Sequence, residues 1–309
     1  MRRGGTIERR RSAPLGANAT IAPGYEVIEH LRRGNDLDVY DTWSVERLSR
    51  CVVKALRPDR GHKKRVRAAL LREGALLGQL AHPHIVRAYE TIAEPLPMVV
   101  LETLPGSTLS VLIAEEPVRP PEELGHLGLQ LASALHYLHS RDILHLDLKP
   151  SNLIAEAGRV KLIDLSLARA PGPAGPGIGT WQYLSPEQAR GEHLGPPADV
   201  WGLGAVLFEV ATGEAPFDDD PDAWTDPPSN PSGTYSEAAP ERYPQLERRA
   251  RRPESVRALP AQLGGLIVAC LDPEPADRPS IAELAGAFER LAGLPAAERR
   301  WSAHSAVVA

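Results

Sequence analysis

The chain has 309 residues and a formal net charge of −5. That length can bury a sizeable core, and the acidic balance argues against a dedicated nucleic-acid binder. Its two cysteines, Cys51 and Cys270, lie far apart in apolar runs, so neither a disulfide framework nor a zinc spacing is present and a reducing, cytoplasmic setting is expected.

Residues 1–23 are Arg/Gly/Ala-rich without periodicity and read as a disordered N-terminal tail. Neither a signal-peptide apolar region nor an apolar run approaching a membrane span is evident. Residues 24–104 alternate strands with one helix, the pattern of a small, mostly β lobe. Cys51-Val-Val-Lys-Ala-Leu56 is an apolar strand interrupted by Lys54. Val66, Leu70, Glu73, Leu77 and Leu80 recur at helical spacing and form one face. Glu73 thus lies inside an apolar stripe, where an unpaired carboxylate is costly. Lys54 is its expected partner, which would aim the ammonium at the α- and β-phosphates of a nucleotide.

Pro105-Gly106-Ser107 reads as a hinge, and helices dominate beyond it. Leu124, Leu127, Leu131, Leu135 and Leu138 share one face of a long helix. The octet His145-Leu-Asp-Leu-Lys-Pro-Ser-Asn152 then spaces an acid, a cation and an amide as phosphoryl transfer requires. Alternate residues of an extended loop share a face, so Asp147 and Lys149 can address one reacting centre. Asp147 would accept the proton of an attacking hydroxyl, Lys149 would neutralise the moving phosphoryl, and Asn152 would offer an oxygen to Mg²⁺. A hairpin turning at Ala157-Gly158 is expected to set position 152 opposite Asp164, the second hard oxygen ligand. His145 reads as a packed structural residue, and the remaining histidines show no ligand spacing.

Val200 to Thr212 is a further helix that Asp199 could cap. Residues 218–258 begin acidic, turn Pro/Ser-rich and end basic; they read as an irregular insert, either a free loop or the seat of a regulatory partner. Residues 294–309 read as a C-terminal tail.

Taken in order, these motifs make the chain resemble the eukaryotic-type (Hanks-type) bacterial Ser/Thr protein kinases over roughly residues 25–292. Cys51-Val-Val-Lys54 is similar to the family's Val-Ala-Ile-Lys strand, His145-Leu-Asp147 to His-Arg-Asp, and Asp164-Leu-Ser166 to Asp-Phe-Gly. Ser185-Pro-Glu187 is similar to Ala-Pro-Glu, and Arg278 to the late arginine that pairs with that glutamate. The resemblance implies an α+β fold of two lobes, a mostly β N-lobe to residue 104 and a mostly α C-lobe over 105–293. It also implies ATP and Mg²⁺ as cofactors, a protein Ser/Thr hydroxyl as acceptor, and Gly34, Val39, Glu102 and Leu104 around the nucleotide. Lys149 with Thr180 is similar to the Ser/Thr-directed pattern, and the Arg-rich, Lys-poor wording has a bacterial character.

Three departures qualify the resemblance. In the nucleotide-covering loop only Gly34 survives, with Arg32 and Leu37 at the outer glycine sites and Asp36 expected as a negative charge at the tip. Arg32 is a candidate to recover part of the lost phosphate binding. Leu146 replaces the arginine that receives a phosphorylated activation loop, and residues 167–179 contain no Ser, Thr or Tyr; activation by loop phosphorylation is therefore not expected. Ser166 replaces a glycine, a tuning change. The leading expectation is a protein Ser/Thr kinase. A pseudokinase acting as a nucleotide-binding or scaffold module is the alternative, and a small-molecule phosphotransferase is disfavoured by Lys149, Ser185-Pro-Glu187 and Arg278.

Overall fold

The computed structural model describes residues 12–115, 120–217 and 243–294. Six strands form the first sheet: β1 (Thr20–Ala22), β2 (Tyr25–Arg33), β3 (Leu37–Ser44), β4 (Ser49–Leu56), β5 (Ala88–Ile92) and β6 (Met98–Glu102). They are ordered β1-β2-β3-β4-β6-β5, all neighbours antiparallel. The period of two along each strand divides the side chains between two environments. Cys51, Val53, Ala55, Met98 and Val100 join Tyr25, Val27 and Tyr40 in one apolar cluster. Val99 and Leu101, one residue out of phase, face α1 (Lys64–Leu77) and belong to the main core with Val66, Leu70 and Leu77. Gly74 lets α1 sit this close, because a Cβ there would meet the Val99 side chain at 2.8 Å.

The expected N-terminal tail is corrected in its second half. Residues 1–11 lie outside the described residues, but β1 pairs with β2, and Ala22 is buried against Tyr25 and Val27. Leu15 N donates to Tyr40 Oη at 3.2 Å, and the Ser12 carbonyl accepts from Arg33 at 2.6 Å. Ala19, Ile21 and Ala22 cover the sheet edge; Thr20 and Ile21 are β-branched, but a run of three residues is too short to read as a strand.

After the hinge, β7 (Ser107–Thr108), β8 (Leu153–Glu156) and β9 (Arg159–Leu162) make a small three-stranded sheet. The rest is helical: α2 (Leu109–Glu115), α3 (Pro121–His139), α4 (Pro186–Arg190), α5 (Pro196–Thr212), α6 (Pro244–Glu247), α7 (Ala261–Cys270) and α8 (Ile281–Leu291), with the short pair β10 (Gly172–Pro173) and β11 (His193–Leu194). Helix α5 is buried on nearly every side, which suits its almost wholly apolar sequence. Gly202 on that helix brings it against Leu148, where a Cβ would lie 2.9 Å from the leucine side chain. The octet therefore rests directly on the central helix of the C-lobe. Residues 218–242 of the expected insert lie outside the described residues; within its remainder, Tyr243 and Gln245 are buried against the chain around Trp181. Among the described residues no helix is long and apolar enough to cross a membrane.

Candidate active site

A cleft of about 450 Å³ opens between the sheet and the helical lobe, and the sequence-derived candidates converge on it. Lys54 Nζ donates to both Glu73 carboxylate oxygens at 2.9 and 2.8 Å and to Asp164 Oδ2 at 3.1 Å. Glu73 is 3% exposed, so this pairing removes the penalty that its place in the apolar stripe would otherwise impose. Its Oε1 also accepts from the Leu165 N–H at 3.3 Å, tying α1 to the segment that follows β9. Burial raises the Glu73 pKa and the Lys54 ammonium opposes that rise. Burial works against the charged forms of Lys54 and Asp164 as well, but each is overruled by its partners. Asp164 and Glu73 raise the lysine above its ordinary value, while Lys54 and the Ser166 N–H hold Asp164 well below the usual carboxylate range.

The octet is held from beneath by Asp199, which lies in the first turn of α5 and does not cap it; Gly195 is the N-cap. Its carboxylate accepts from His145 N at 2.9 Å, Leu146 N at 2.7 Å and His139 Nε2 at 2.8 Å. These bonds fix Leu146 at φ 64, a left-handed conformation costing on the order of 1–3 kcal/mol for a residue with a Cβ. His145 is buried, which lowers its pKa, and its Nδ1 accepts from Asp147 N at 3.1 Å. Asn152 Nδ2 donates to the Asp147 carbonyl at 2.9 Å and to Asp147 Oδ2 at 3.1 Å. Lys149 Nζ lies 2.8 Å from the same Oδ2. Thr180 Oγ1 donates to Asp147 Oδ1 and accepts from Lys149 Nζ, both at 2.6 Å. Acid, cation and hydroxyl thus form one closed triangle at the floor of the cleft.

The expected hairpin register is off by one. Leu153 pairs with Leu162, and Ile163 N donates to the Asn152 carbonyl at 3.0 Å, so position 152 faces 163 and Asp164 lies one residue beyond. The cause is the two-residue turn at Ala157 and Gly158, with φ of 48 and 76, which centres the hairpin between those residues. Asn152 and Asp164 still line the same cleft. With its amide nitrogen committed to Asp147, Asn152 keeps its oxygen for another partner. That oxygen and the ionised Asp164 are the hard donors Mg²⁺ favours. Among the described residues no group of three or more His, Cys, Asp or Glu could hold a metal alone. This donor set therefore fits an ion that takes its remaining ligands from phosphates and water.

Gly34, Val39, Glu102 and Leu104 all line the cleft. The Glu102 side chain is already engaged, its Oε1 accepting from Arg87 N at 2.8 Å and from Lys161 Nζ. The reading of Asp36 as a charge at the loop tip is corrected. It is 2% exposed and turned away, with Lys63 Nζ at 2.6 Å from its Oδ1. Arg57, buried and paired with Asp59, donates to the carbonyls of Gly34 and Asn35 at 3.0 and 3.1 Å. This brace went unrecognised because nothing in the run Arg57-Pro-Asp59 says what it will touch; the pairing Leu37↔Leu56 brings it under the loop.

Beside the octet, Ile178 is seated by apolar contact. Leu146 and Ile178 are buried in one apolar cluster with Leu144, Leu194 and Ala198. Gln188 Nε2 donates to the carbonyls of Leu146 and Ile178, both at 2.8 Å. The Ser185-x-x-Gln188 spacing is legible as a capping box, which is formed, but the second duty of Gln188 is not. Glu187 is held by both terminal nitrogens of Arg278 at 2.7 and 2.9 Å, a fully desolvated bidentate pair. Ser166 does not adopt positive φ, so its replacement of a glycine stores no strain there.

Residues 25–287 match the model of the protein kinase domain family. The chain belongs to that family. Among curated relatives, the kinase chain is 36% identical over 213 residues to the serine/threonine-protein kinase PknB of Mycobacterium tuberculosis, covering 65% of this chain and 34% of the relative. It is 32% identical over 296 residues to PknB of Mycolicibacterium smegmatis, covering 89% of this chain and 47% of the relative. A probable serine/threonine-protein kinase of Streptomyces coelicolor is 34% identical over 206 residues, 62% of this chain and 31% of the relative. The chain thus spans a third to a half of the length of these three bacterial relatives. The two-lobed α+β fold expected from the motifs is that of this family.

Proposed function

We propose that the protein transfers the γ-phosphoryl of ATP, with Mg²⁺, to a Ser or Thr hydroxyl of a protein substrate, without prior phosphorylation of its activation loop. The observation carrying this reading is the closed Asp147–Lys149–Thr180 triangle, formed while Lys54 bridges Glu73 and Asp164. Lys54, steadied by Glu73, binds the α- and β-phosphates, and the backbone of Glu102 and Leu104 receives the base over Val39. Asn152 and Asp164 would hold Mg²⁺, which would supply neutralisation of the phosphate charge. Asp147 orients the substrate hydroxyl and takes its proton as the oxygen attacks. Lys149 stabilises the charge on the transferred group. Independence from loop phosphorylation is supported by the apolar seat of Leu146 and by a loop without hydroxyls over 167–179. In vitro, labelled ATP is expected to phosphorylate the protein itself or a generic basic protein, and Asp147→Ala to abolish this. Equal labelling by wild type and Asp147→Ala overturns the reading.

A second reading is favoured by one observation, the loss of two loop glycines to Arg32 and Leu37. It is a pseudokinase that binds nucleotide or serves as a scaffold. A thermal-shift titration with ATP, with and without Mg²⁺, identifies the scaffold by the absence of stabilisation at millimolar nucleotide; a protein that is stabilised but fails the labelling assay above is the nucleotide-binding pseudokinase.

A further inference from the structure

The nucleotide-covering hairpin carries a cation that the reading above leaves without a task. Strand β2 bulges between His30 and Arg32: His30 pairs with Tyr40, but Arg32 pairs with Val39, leaving Leu31 as the extra residue. A bulge shifts the alternation of side chains by one and re-aims those beyond it. Val39 in turn pairs with Lys54. Cross-strand partners share a face of the sheet, so Arg32, Val39 and Lys54 form one row directed into the cleft, all lining it. The two cations stand two strand spacings apart, roughly 9–10 Å between backbones. Arg33 is sent the other way, to Asp38 at 3.1 and 3.2 Å.

The acids near Arg32 are already engaged: Asp38 by Arg33 and His30, Asp36 by Lys63, and Asp41 by Arg50. Arg32 itself is exposed and, among the described residues, has no hydrogen-bond or ion-pair partner. An arginine on the cleft face, in the same row as Lys54 and near the surviving Gly34, presents a planar donor fork to whatever anion enters. That fork matches phosphate oxygens bidentately, and phosphate is the anion that the ATP-dependent reading brings to this cleft.

We propose that Arg32 takes over the phosphate contacts that glycines at the outer loop positions would otherwise make through their backbone. Its guanidinium donates to non-bridging oxygens of the nucleotide from one end of this row, while Lys54 holds them from the other. The assignment rests on the ATP-dependent reading and adds a consequence for selectivity: affinity grows with the number of phosphates more through a side chain than through the loop backbone. The brace of Arg57 on Gly34 and Asn35 supports it, because that brace fixes the hairpin carrying Arg32 without consuming Arg32.

The test is calorimetric binding of ATP, ADP and adenosine, with Mg²⁺, to the full chain as wild type, Arg32→Ala and Arg32→Lys. Arg32→Ala is expected to weaken ATP and ADP about tenfold or more while adenosine binding holds, and Arg32→Lys to recover part of the loss. Because the side chain is exposed, the unliganded melting temperatures of all three proteins are expected to agree. Undiminished ATP affinity in Arg32→Ala overturns the Arg32 assignment alone. An equal loss for ATP and adenosine overturns it too, since the residue would then shape the pocket and not read phosphate. Absence of ATP binding by the wild type overturns both this assignment and the kinase reading beneath it.

Discussion

Leu146 and Ile178 are fastened to one another through Gln188, whose Nε2 donates to both of their carbonyls at 2.8 Å. Their side chains share a single buried apolar cluster. In a site where a phosphate would call for an arginine, this chain has a greasy contact and an amide bridge. Hydrophobic contact needs no charge to switch it on, and the loop it holds carries no hydroxyl over 167–179.

Phosphatase treatment of the purified protein is therefore expected to leave its transfer rate unchanged. Leu146→Ala is expected to lower stability by about 2–5 kcal/mol in denaturant unfolding, the usual cost of emptying a buried leucine site, and to reduce the rate as Ile178 loosens. A phosphatase-sensitive rate, or an unaltered unfolding midpoint in Leu146→Ala, would count against the apolar fastening.

Arg57 supports a second prediction. Its guanidinium is bidentate to Asp59 at 3.1 and 2.7 Å and also donates to the Gly34 and Asn35 carbonyls, with both side chains nearly buried. The hydrogen bond from Arg57 is the main reason the Asp59 carboxyl titrates below its ordinary value. Arg57→Ala takes the donor from two loop carbonyls and leaves the Asp59 carboxylate only Ser12 and the more distant Arg60, at a cost of about 1.5–3 kcal/mol. The nucleotide loop then loses its support from behind, so KM for ATP is expected to rise more than kcat falls. Steady-state kinetics at varied ATP checks this, and a pure kcat effect would show that the brace serves something other than the nucleotide.

Acid sensitivity follows from Asp164. Burial pushes its pKa up, but the ammonium of Lys54 at 3.1 Å and the Ser166 N–H outweigh burial, so the folded value lies below the unfolded one. A carboxyl shifted in that direction stabilises the fold above its unfolded pKa and loses the contribution as pH falls through the folded value. Lys54 is shifted upward, so its share is present below the ordinary lysine value and leaves only as pH rises beyond it. The stability difference between wild type and Asp164→Asn is accordingly expected to be constant from pH 8 to about 5 and to shrink below about pH 4. Urea unfolding at each pH measures it; a difference that persists unaltered at pH 3 would mean that Lys54 is not the group holding Asp164 ionised.

Much of this arrangement could be read from the residues alone, and the misreadings share a cause. Glu73 announced its partner because a carboxylate in an apolar helical stripe requires one, and Lys54 interrupted an otherwise apolar strand. The octet was legible for the same reason: its chemistry is local in sequence. What failed depended on register or on remote packing. The 152–164 pairing missed by one residue because the turn is two residues long, a matter of two backbone angles. Asp36 looked free at the loop tip because Lys63, its partner, lies 27 positions away beyond two whole strands. Strand β1 hid because a run of three residues is too short to read as a strand.

Thr180 decides whether the triangle at the floor of the cleft is a working part or a by-product of packing. Its hydroxyl donates to Asp147 Oδ1 and accepts from Lys149 Nζ, both at 2.6 Å, so it joins the acid to the cation and fixes the rotamers of both. Asn152 holds the other carboxylate oxygen at 3.1 Å and is untouched by any change at 180. Thr180→Val keeps the volume and the β-branch but removes both bonds; Thr180→Ser keeps both bonds. Hydrogen bonds to charged groups contribute about 1.5–3 kcal/mol. The valine variant is accordingly expected to lose about 10- to 100-fold in kcat with little change in KM for ATP, and the serine variant to stay near wild type. Single-turnover transfer from labelled ATP to a protein acceptor measures the step directly. Full activity in Thr180→Val would reduce the threonine's part of the triangle to packing and leave the orientation of Asp147 to Asn152 and Lys149.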